Sequence, residues 1–152
     1  MIRAWRIVRE ARAAEAFSGE GARQYGGRWN SPGVAIVYAS EHQSLAALET
    51  LVHLQPRGSL RFVVFPVEFA DDLVERLPNE ALPPSWRSEP PGAATMQIGD
   101  AWAQSGRTAV LALPSIVVPQ EINFLLNPLH PAFSRISIKK PIEFSFDPRL
   151  LE

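Results

Sequence analysis

Between Phe17 and Gly33 the chain reads Phe-Ser-Gly-Glu-Gly-Ala-Arg-Gln-Tyr-Gly-Gly-Arg-Trp-Asn-Ser-Pro-Gly, with five glycines and one proline in seventeen positions. That density of residues with special backbone freedom predicts a long, shaped loop with no regular element. Loops of this length are uncommon inside a compact domain and are often functional, so the elements on either side must be arranged around this one. At 152 residues the chain is long enough for one domain and short for two, so residues 1–152 are expected to form a single unit. An apolar fraction of 46% and a charged fraction of 20% exclude wholesale disorder, a collagenous repeat and a long coiled coil.

Residues Ile2 to Val8 alternate apolar and charged side chains around Trp5 and Arg6, the pattern of a half-buried strand. After the loop, Val34 to Ala39 is a short apolar run suited to a buried strand. Ser40 then opens a helix, with Gln43 completing a Ser-x-x-Gln capping box and Leu45, Leu48 and Val52 repeating at helical spacing through His53. Leu60 to Phe69 reads as a strand whose Pro66 pushes it toward an edge or a bulge. Asp71 to Gly92 holds five prolines and reads as an irregular excursion. A helix is expected from Ala93 to Gln104 with Met96 and Trp102 inward. Thr108 to Leu113 forms a strand ended by Pro114, and a last alternating strand runs from Arg135 to Phe146. The sum is an α+β domain with a mixed sheet of about six strands and two or three helices, without the βαβα alternation of a doubly wound sheet.

Several chemistries fall away on composition. There is no cysteine, hence no disulfide framework and no thiolate metal site, and His42, His53 and His130 lack metal-ligand spacing. A formal charge of -1 provides no bulk attraction to nucleic acid or anionic membrane. The arginine-rich start lacks the apolar stretch of a signal peptide, and no run approaches a membrane span, so a cytoplasmic protein is expected. Gly19 and Gly21 give G-x-G, but position 24 is glutamine and no strand-to-helix unit surrounds them, so the dinucleotide fingerprint is absent.

What the loop does offer is Arg28, behind Gly26-Gly27 and ahead of a Ser-Pro-Gly turn, where a guanidinium can grip phosphate oxygens or simply face solvent. Glu49 follows Leu45 by four residues and lies on the flank of the apolar helix face, where a carboxylate snorkels, pairs with a cation or faces a cleft. His53 shares that face. Ser115 in Leu-Pro-Ser-Ile-Val lacks the G-x-S-x-G elbow of a hydrolase and reads as a turn residue. Tyr38 and Trp29, taken singly, read as core. Asn123, Asn127 and His130 read as turn and capping residues.

Together Gly26-Gly-Arg-Trp-Asn30 with Gly33, Val37-Tyr-Ala-Ser40, Leu45-Ala-Ala-Leu-Glu-Thr50, Leu113-Pro-Ser115, and Glu121-x-Asn123 leading to Asn127-Pro-Leu-His-Pro131 resemble the RES-domain toxins of bacterial toxin–antitoxin pairs. The resemblance implies a fold similar to the catalytic core of ADP-ribosyltransferases, with a mixed sheet split around a cleft that takes NAD as substrate and needs no other cofactor or metal. It also implies that Arg28 binds the NAD phosphates, that Tyr38 lies on the nicotinamide side, and that Glu49 and Ser115 complete the catalytic set. Asn123 is added as a residue shaping the NAD pocket. The implied activity is cleavage of the nicotinamide–ribose bond and depletion of NAD by water or phosphate. The nearest alternative is transfer of ADP-ribose to a cellular protein, and a more distant one is a ribonuclease using Arg28, Glu49 and His53. Lack of a basic stripe beyond Arg3, Arg6, Arg9 and Arg12 speaks against the ribonuclease. An inactive interaction module is a further class. The implied partners are an Xre-like antitoxin that covers the cleft and a second copy of the toxin, with no nucleic acid and no membrane bound directly.

Overall fold

The computed structural model describes residues 1–54 and 61–152, and Leu60, where the sequence begins its third strand, lies outside them. The first strand forms as its alternation predicts, β1 at Ile2–Arg9, and the helix of the third quarter also forms as expected, running from Ala93 to Ser105. The architecture is α+β around a mixed sheet of eight strands among the described residues. The strands are β1, β2 (Val37–Ser40), β3 (Phe62–Phe69), β4 (Val74–Arg76), β5 (Val110–Pro114), β6 (Ile122–Leu126), β7 (Ser137–Ile138) and β8 (Ile142–Phe144). Their order is β4-β5-β6-β2-β1-β3-β7, with β8 also on β3, and every pairing is antiparallel except β4 with β5.

The joint between β1 and β2 is thin. β1 pairs with β3 along its whole length, from Ile2 opposite Phe69 to Arg9 opposite Phe62, but meets β2 only where Trp5 stands opposite Ser40. The sheet therefore divides into two well-laddered halves that part beyond that point, and the opening between them becomes the cleft.

Several elements depart from the sequence reading. The glycine-rich segment is not wholly irregular: Glu20–Tyr25 forms a short helix, α1, bracketed by Gly19 and Gly26 with φ of 74° and 73°. Those positive angles suit glycine at both ends, and the Gly26 N–H closes the last turn on the Ala22 carbonyl at 2.7 Å. The next helix, α2, spans Gln43–Val52, with His42 rather than Ser40 in the N-cap position. Ser40 ends β2, its hydroxyl faces Asn123, and the capping box does not form. The buried positions of α2 are Leu45 and Ala46, while Leu48 and Val52 are exposed. This rotation places Glu49, four residues after Leu45 and three after Ala46, on the inward side rather than on a flank.

β6 was hidden in a stretch that read as turns. It lies between β5 and β2, and Phe124, Leu125 and Leu126 are all buried, so there is no polar alternation to reveal it. β4 likewise emerges from the proline-rich excursion. Lys139-Lys140-Pro141 divides the expected final strand into β7 and β8, which flank the same side of β3. Pro66 lies in the sheet interior instead of at an edge. Its carbonyl accepts from Lys139 N–H between the two short strands, so the missing N–H falls at their seam, where no ladder bond is lost.

The helix from Ala93 to Ser105, α3, covers the other half of the sheet with Trp102 buried against Trp29, Ile36, Leu111, Leu113 and Leu125. Met96 is only half-buried, and Gly99 is the close contact. A Cβ at Gly99 would sit 1.7 Å from the Trp29 carbonyl oxygen, so the helix backbone rests directly on the turn that carries Arg28. Gly99→Ala should therefore cost about 3 kcal/mol or more in denaturant unfolding, at or beyond the top of the usual overpacking range. Gly21→Ala, which meets nothing within 4 Å inside α1, should instead gain roughly 0.5–1 kcal/mol. Equal stabilities for the two variants would contradict this packing.

Candidate active site

The turn after α1 is built by side chains folding back on its own backbone. Gly27 N–H bonds to the Asn30 carbonyl at 2.9 Å, and buried Asn30 donates its amide to the carbonyls of Ala22 (2.9 Å) and Val34 (3.0 Å). The Tyr38 hydroxyl, from β2, donates to Asn30 Oδ1 at 2.6 Å and accepts from Trp29 N–H at 3.2 Å. A side chain at Gly27 would lie 2.7 Å from that hydroxyl, so the second glycine of Gly-Gly-Arg-Trp-Asn makes room for the tyrosine. Asp100 of α3 accepts from Ser31 N–H at 2.9 Å and ties the turn to the helix. Loss of water around Tyr38 pushes its hydroxyl pKa well up, so it stays protonated at neutral pH.

Arg28 projects from this turn with its side chain only 10% exposed. Its Nη1 donates to the carbonyls of Ser88 (2.6 Å) and Trp86 (3.2 Å), and its Nη2 pairs with Glu89. The proline-rich excursion thus returns to the glycine-rich loop. That contact, and the place of Glu89 and Pro91 on the cavity wall, were not legible in the sequence.

Across the opening stands Glu49. Asn123, on β6, donates its amide to Glu49 Oε2, and Asn123 Oδ1 accepts from the Ser40 hydroxyl at 2.7 Å. Among the described residues no ion pair neutralises Glu49. Loss of water raises the Glu49 pKa, and the Asn123 amide, His53 and Arg28 oppose that rise in decreasing order. Arg28 thus acts on Glu49 across the space between them.

Arg6 is the residue sequence reasoning missed. It shares a face of β1 with Ile2, Ala4 and Val8, a position where its charge alone gave no hint of a role, and its Nη1 donates to the Tyr38 carbonyl at 2.8 Å and its Nε to the Ala16 carbonyl at 2.7 Å. Burial pulls its guanidinium down to about 10, still far enough above neutrality to keep the charge.

These groups share one cavity of about 810 Å³, within the range of small-molecule and cofactor sites. Arg28, Tyr38, Glu49 and Asn123 all line it, as do Arg6, Ser40 and His53. Ser115 does not. It is fully buried behind the wall, where its hydroxyl oxygen accepts from Val117 N–H (3.0 Å) and Val118 N–H (3.1 Å) as a turn lock. Asn127 and His130 also prove structural: Asn127 donates to the Ala103 carbonyl, and His130 caps the following turn through Ala132 N–H. Among the described residues no group of three potential ligands could hold a metal ion, and no helix is long and apolar enough to cross a membrane.

Residues 3–147 match the RES domain. The chain belongs to the RES-domain family. It is 44% identical over 153 residues to "Prs ADP-ribosylating toxin" of Sphingobium sp., covering 97% of this chain and 95% of that one. It is also 44% identical to "Toxin Res" of Yersinia enterocolitica, over 96% of this chain and 97% of the relative. Identity of this extent along the whole length makes the protein a RES toxin as well. In three dimensions it is similar to a chain of the Mycobacterium tuberculosis MbcT–MbcA toxin–antitoxin complex. The TM-score is 0.79 at 16% identity, covering 98% of this chain and 86% of that one, which shows a shared fold.

An ionised Glu49 with little water around it is a cost to folding. With its folded pKa above the unfolded one, the associated stability is complete below the ordinary carboxylate pKa and is lost as pH rises through the higher, folded value. Glu49→Gln keeps an acceptor for Asn123 and removes the charge. It should melt higher than the parent at pH 8, and the gap should close as the pH falls to the ordinary carboxylate range and the parent's Glu49 takes up its proton. A thermal melt series across that range checks it, and a parent as stable as the variant at pH 8 would contradict it.

Proposed function

We propose that this RES toxin breaks the bond between nicotinamide and ribose in NAD and, by passing the ribosyl carbon to water or phosphate, depletes NAD in the cytoplasm. The observation that supports this best is the placement of Arg28 and Glu49 on the walls of one cavity, with the carboxylate held by a neutral amide rather than cancelled by a cation.

When the glycosidic bond breaks, its electron pair goes to the nicotinamide nitrogen and neutralises the pyridinium ring. Positive charge then develops on the ribose, and a fixed carboxylate beside the sugar stabilises it. In hydrolysis a water oxygen bonds to the anomeric carbon and its proton leaves to Glu49 or solvent. In phosphorolysis an oxygen of inorganic phosphate takes that place. Arg28 supplies charge-assisted hydrogen bonds for the pyrophosphate, and doing so requires exchange with its present partner Glu89. Tyr38, protonated and fixed to Asn30, offers a rigid aromatic face along the same wall. Ser115 enters this reading only indirectly, by locking the turn beside β6.

A second reading is transfer of the ADP-ribosyl group to a protein, favoured by the name of the Sphingobium relative. The bond broken is the same and only the acceptor differs. We further propose that an antitoxin of the Xre-like class covers the cavity mouth and that the toxin pairs with itself within that complex. Support comes from the toxin–antitoxin setting of the structural neighbour.

Incubating purified protein with NAD, with and without inorganic phosphate, should release nicotinamide together with ADP-ribose or its 1-phosphate. ADP-ribose bound to an added cellular protein would select the second reading. Glu49→Gln should lower kcat by about 10²–10³-fold with a smaller change in KM, as expected for a charge contact made chiefly in the transition state. Arg28→Ala should chiefly raise KM, by roughly 10–100-fold. Turnover by Glu49→Gln at the parent rate would overturn the assignment.

A further inference from the structure

Ser40 is 4% exposed and its hydroxyl is not used on the helix that follows, because His42 holds the N-cap position of α2 and no side chain caps it. It stands directly opposite Asn123 in the β2–β6 ladder and donates to Asn123 Oδ1 at 2.7 Å. The same amide group gives its N–H to Glu49. The strand ends are clamped just beyond this pair, where Glu41 N–H bonds to the Ile122 carbonyl (3.0 Å) and Ile122 N–H to Glu41 Oε1 (2.8 Å). Register, and with it the spacing of Ser40 and Asn123, is therefore held at this end of the sheet.

An asparagine amide has two unlike ends, and a half-turn of its last torsion exchanges donor for acceptor. Facing an ionised carboxylate, the carbonyl end would set lone pairs against lone pairs in a site with little water to screen them. The carboxylate therefore sets which end of the amide faces it, and the Ser40 hydroxyl, able to pair with either end, serves here as the donor that satisfies and anchors the buried Asn123 Oδ1.

We propose that Ser40 is a positioning residue for NAD cleavage: its hydroxyl anchors the carbonyl end of the Asn123 amide, whose N–H end holds the Glu49 carboxylate toward the ribose. This rests on the NAD reading above for its substrate, but the hydrogen-bonded chain Ser40–Asn123–Glu49 stands on geometry alone. Among the described residues, the charged and titratable groups that share the cavity with Glu49 are His53 on its own helix, Arg6 and Arg9 of β1, Glu15 and Glu20 before and in α1, Tyr38 of β2, and Arg28 with Glu89; of these, His53 and Arg28 act on its titration. None is altered by the variants below, so a change in Glu49 titration reports the amide.

The experiment compares Ser40→Ala, Ser40→Thr, Asn123→Ser and the double variant Ser40→Ala/Asn123→Ser. NAD turnover and a carbon-13 NMR titration of Glu49 are followed at a temperature where each is folded. Ser40→Ala should lower kcat roughly tenfold with KM within about twofold. Its Glu49 carboxyl should titrate at higher pH than in the parent, carrying the acid limb of the kcat profile with it. Ser40→Thr, which keeps the hydroxyl, should restore both. Because Ser40 acts through Asn123, the double variant should resemble Asn123→Ser alone. Additive losses in the double variant, or a folded Ser40→Ala whose Glu49 titrates as in the parent, would overturn the proposal. If the parent protein fails to turn over NAD, the functional reading fails, and the NMR titration of the same four variants still decides the positioning chain.

Discussion

The cleft depends on Arg6. Antiparallel pairing continued from Trp5 and Ser40 would set Arg6 opposite Ala39 and Ile7 opposite Tyr38 and close the sheet. Instead the Arg6 guanidinium occupies the Tyr38 carbonyl and reaches across to the carbonyl of Ala16. One side chain thereby stands in for strand ladder: it satisfies the Tyr38 carbonyl that a parted sheet would leave unpaired, ties in the Ala16 carbonyl from outside the sheet, and keeps a charge inside the opening. Without such a substitute, the parting of β1 from β2 would leave buried acceptors without donors, each worth about 1–3 kcal/mol.

The two halves then carry complementary parts. The half containing β2 and β6 supplies Tyr38, Ser40 and Asn123, and α2, lying on β1, brings Glu49 over the gap. Glu49 is steadied by an amide rather than an arginine, so its negative charge is oriented without being neutralised. A site that must meet developing positive charge on a substrate needs that distinction, since a carboxylate closed in an ion pair has less of its field to offer. The energetic consequence is a strained electrostatic position inside an otherwise well-satisfied interior: no buried side-chain polar atom among the described residues lacks a hydrogen-bond partner.

Sequence pattern carried the reading where a local rule governed the outcome. Alternation in Ile2–Arg9, aromatic and β-branched composition in Phe62–Phe69, and helical spacing with Trp102 in Ala93–Ser105 all have short-range causes, and these elements stand close to where they were expected. Arg28 and Glu49 were legible because a glycine pair and a helix position mark them. β6 escaped because a strand buried on both faces shows no alternation. Ser40 was taken for a cap because a serine three residues before a glutamine satisfies the cap pattern whether or not a cross-strand partner competes for its hydroxyl. Arg6 escaped for a related reason: a charged residue in a strand reads as surface, whereas this one shares the inward face of Ala4 and Val8 and finds backbone carbonyls there. Ser115 sits just past a strand end as expected, yet its hydroxyl is spent on the turn.

Glu89 is paired to Arg28 at the cavity mouth, and the whole chain is nearly neutral at -1. The guanidinium therefore projects little field into solution, because an acid from the same chain cancels it at short range. An anionic ligand approaching from bulk water is not drawn in from a distance and meets the cation only on contact. Encounter rates at this entrance should accordingly depend on diffusion and shape, with little of the steep ionic-strength dependence that marks electrostatically steered capture.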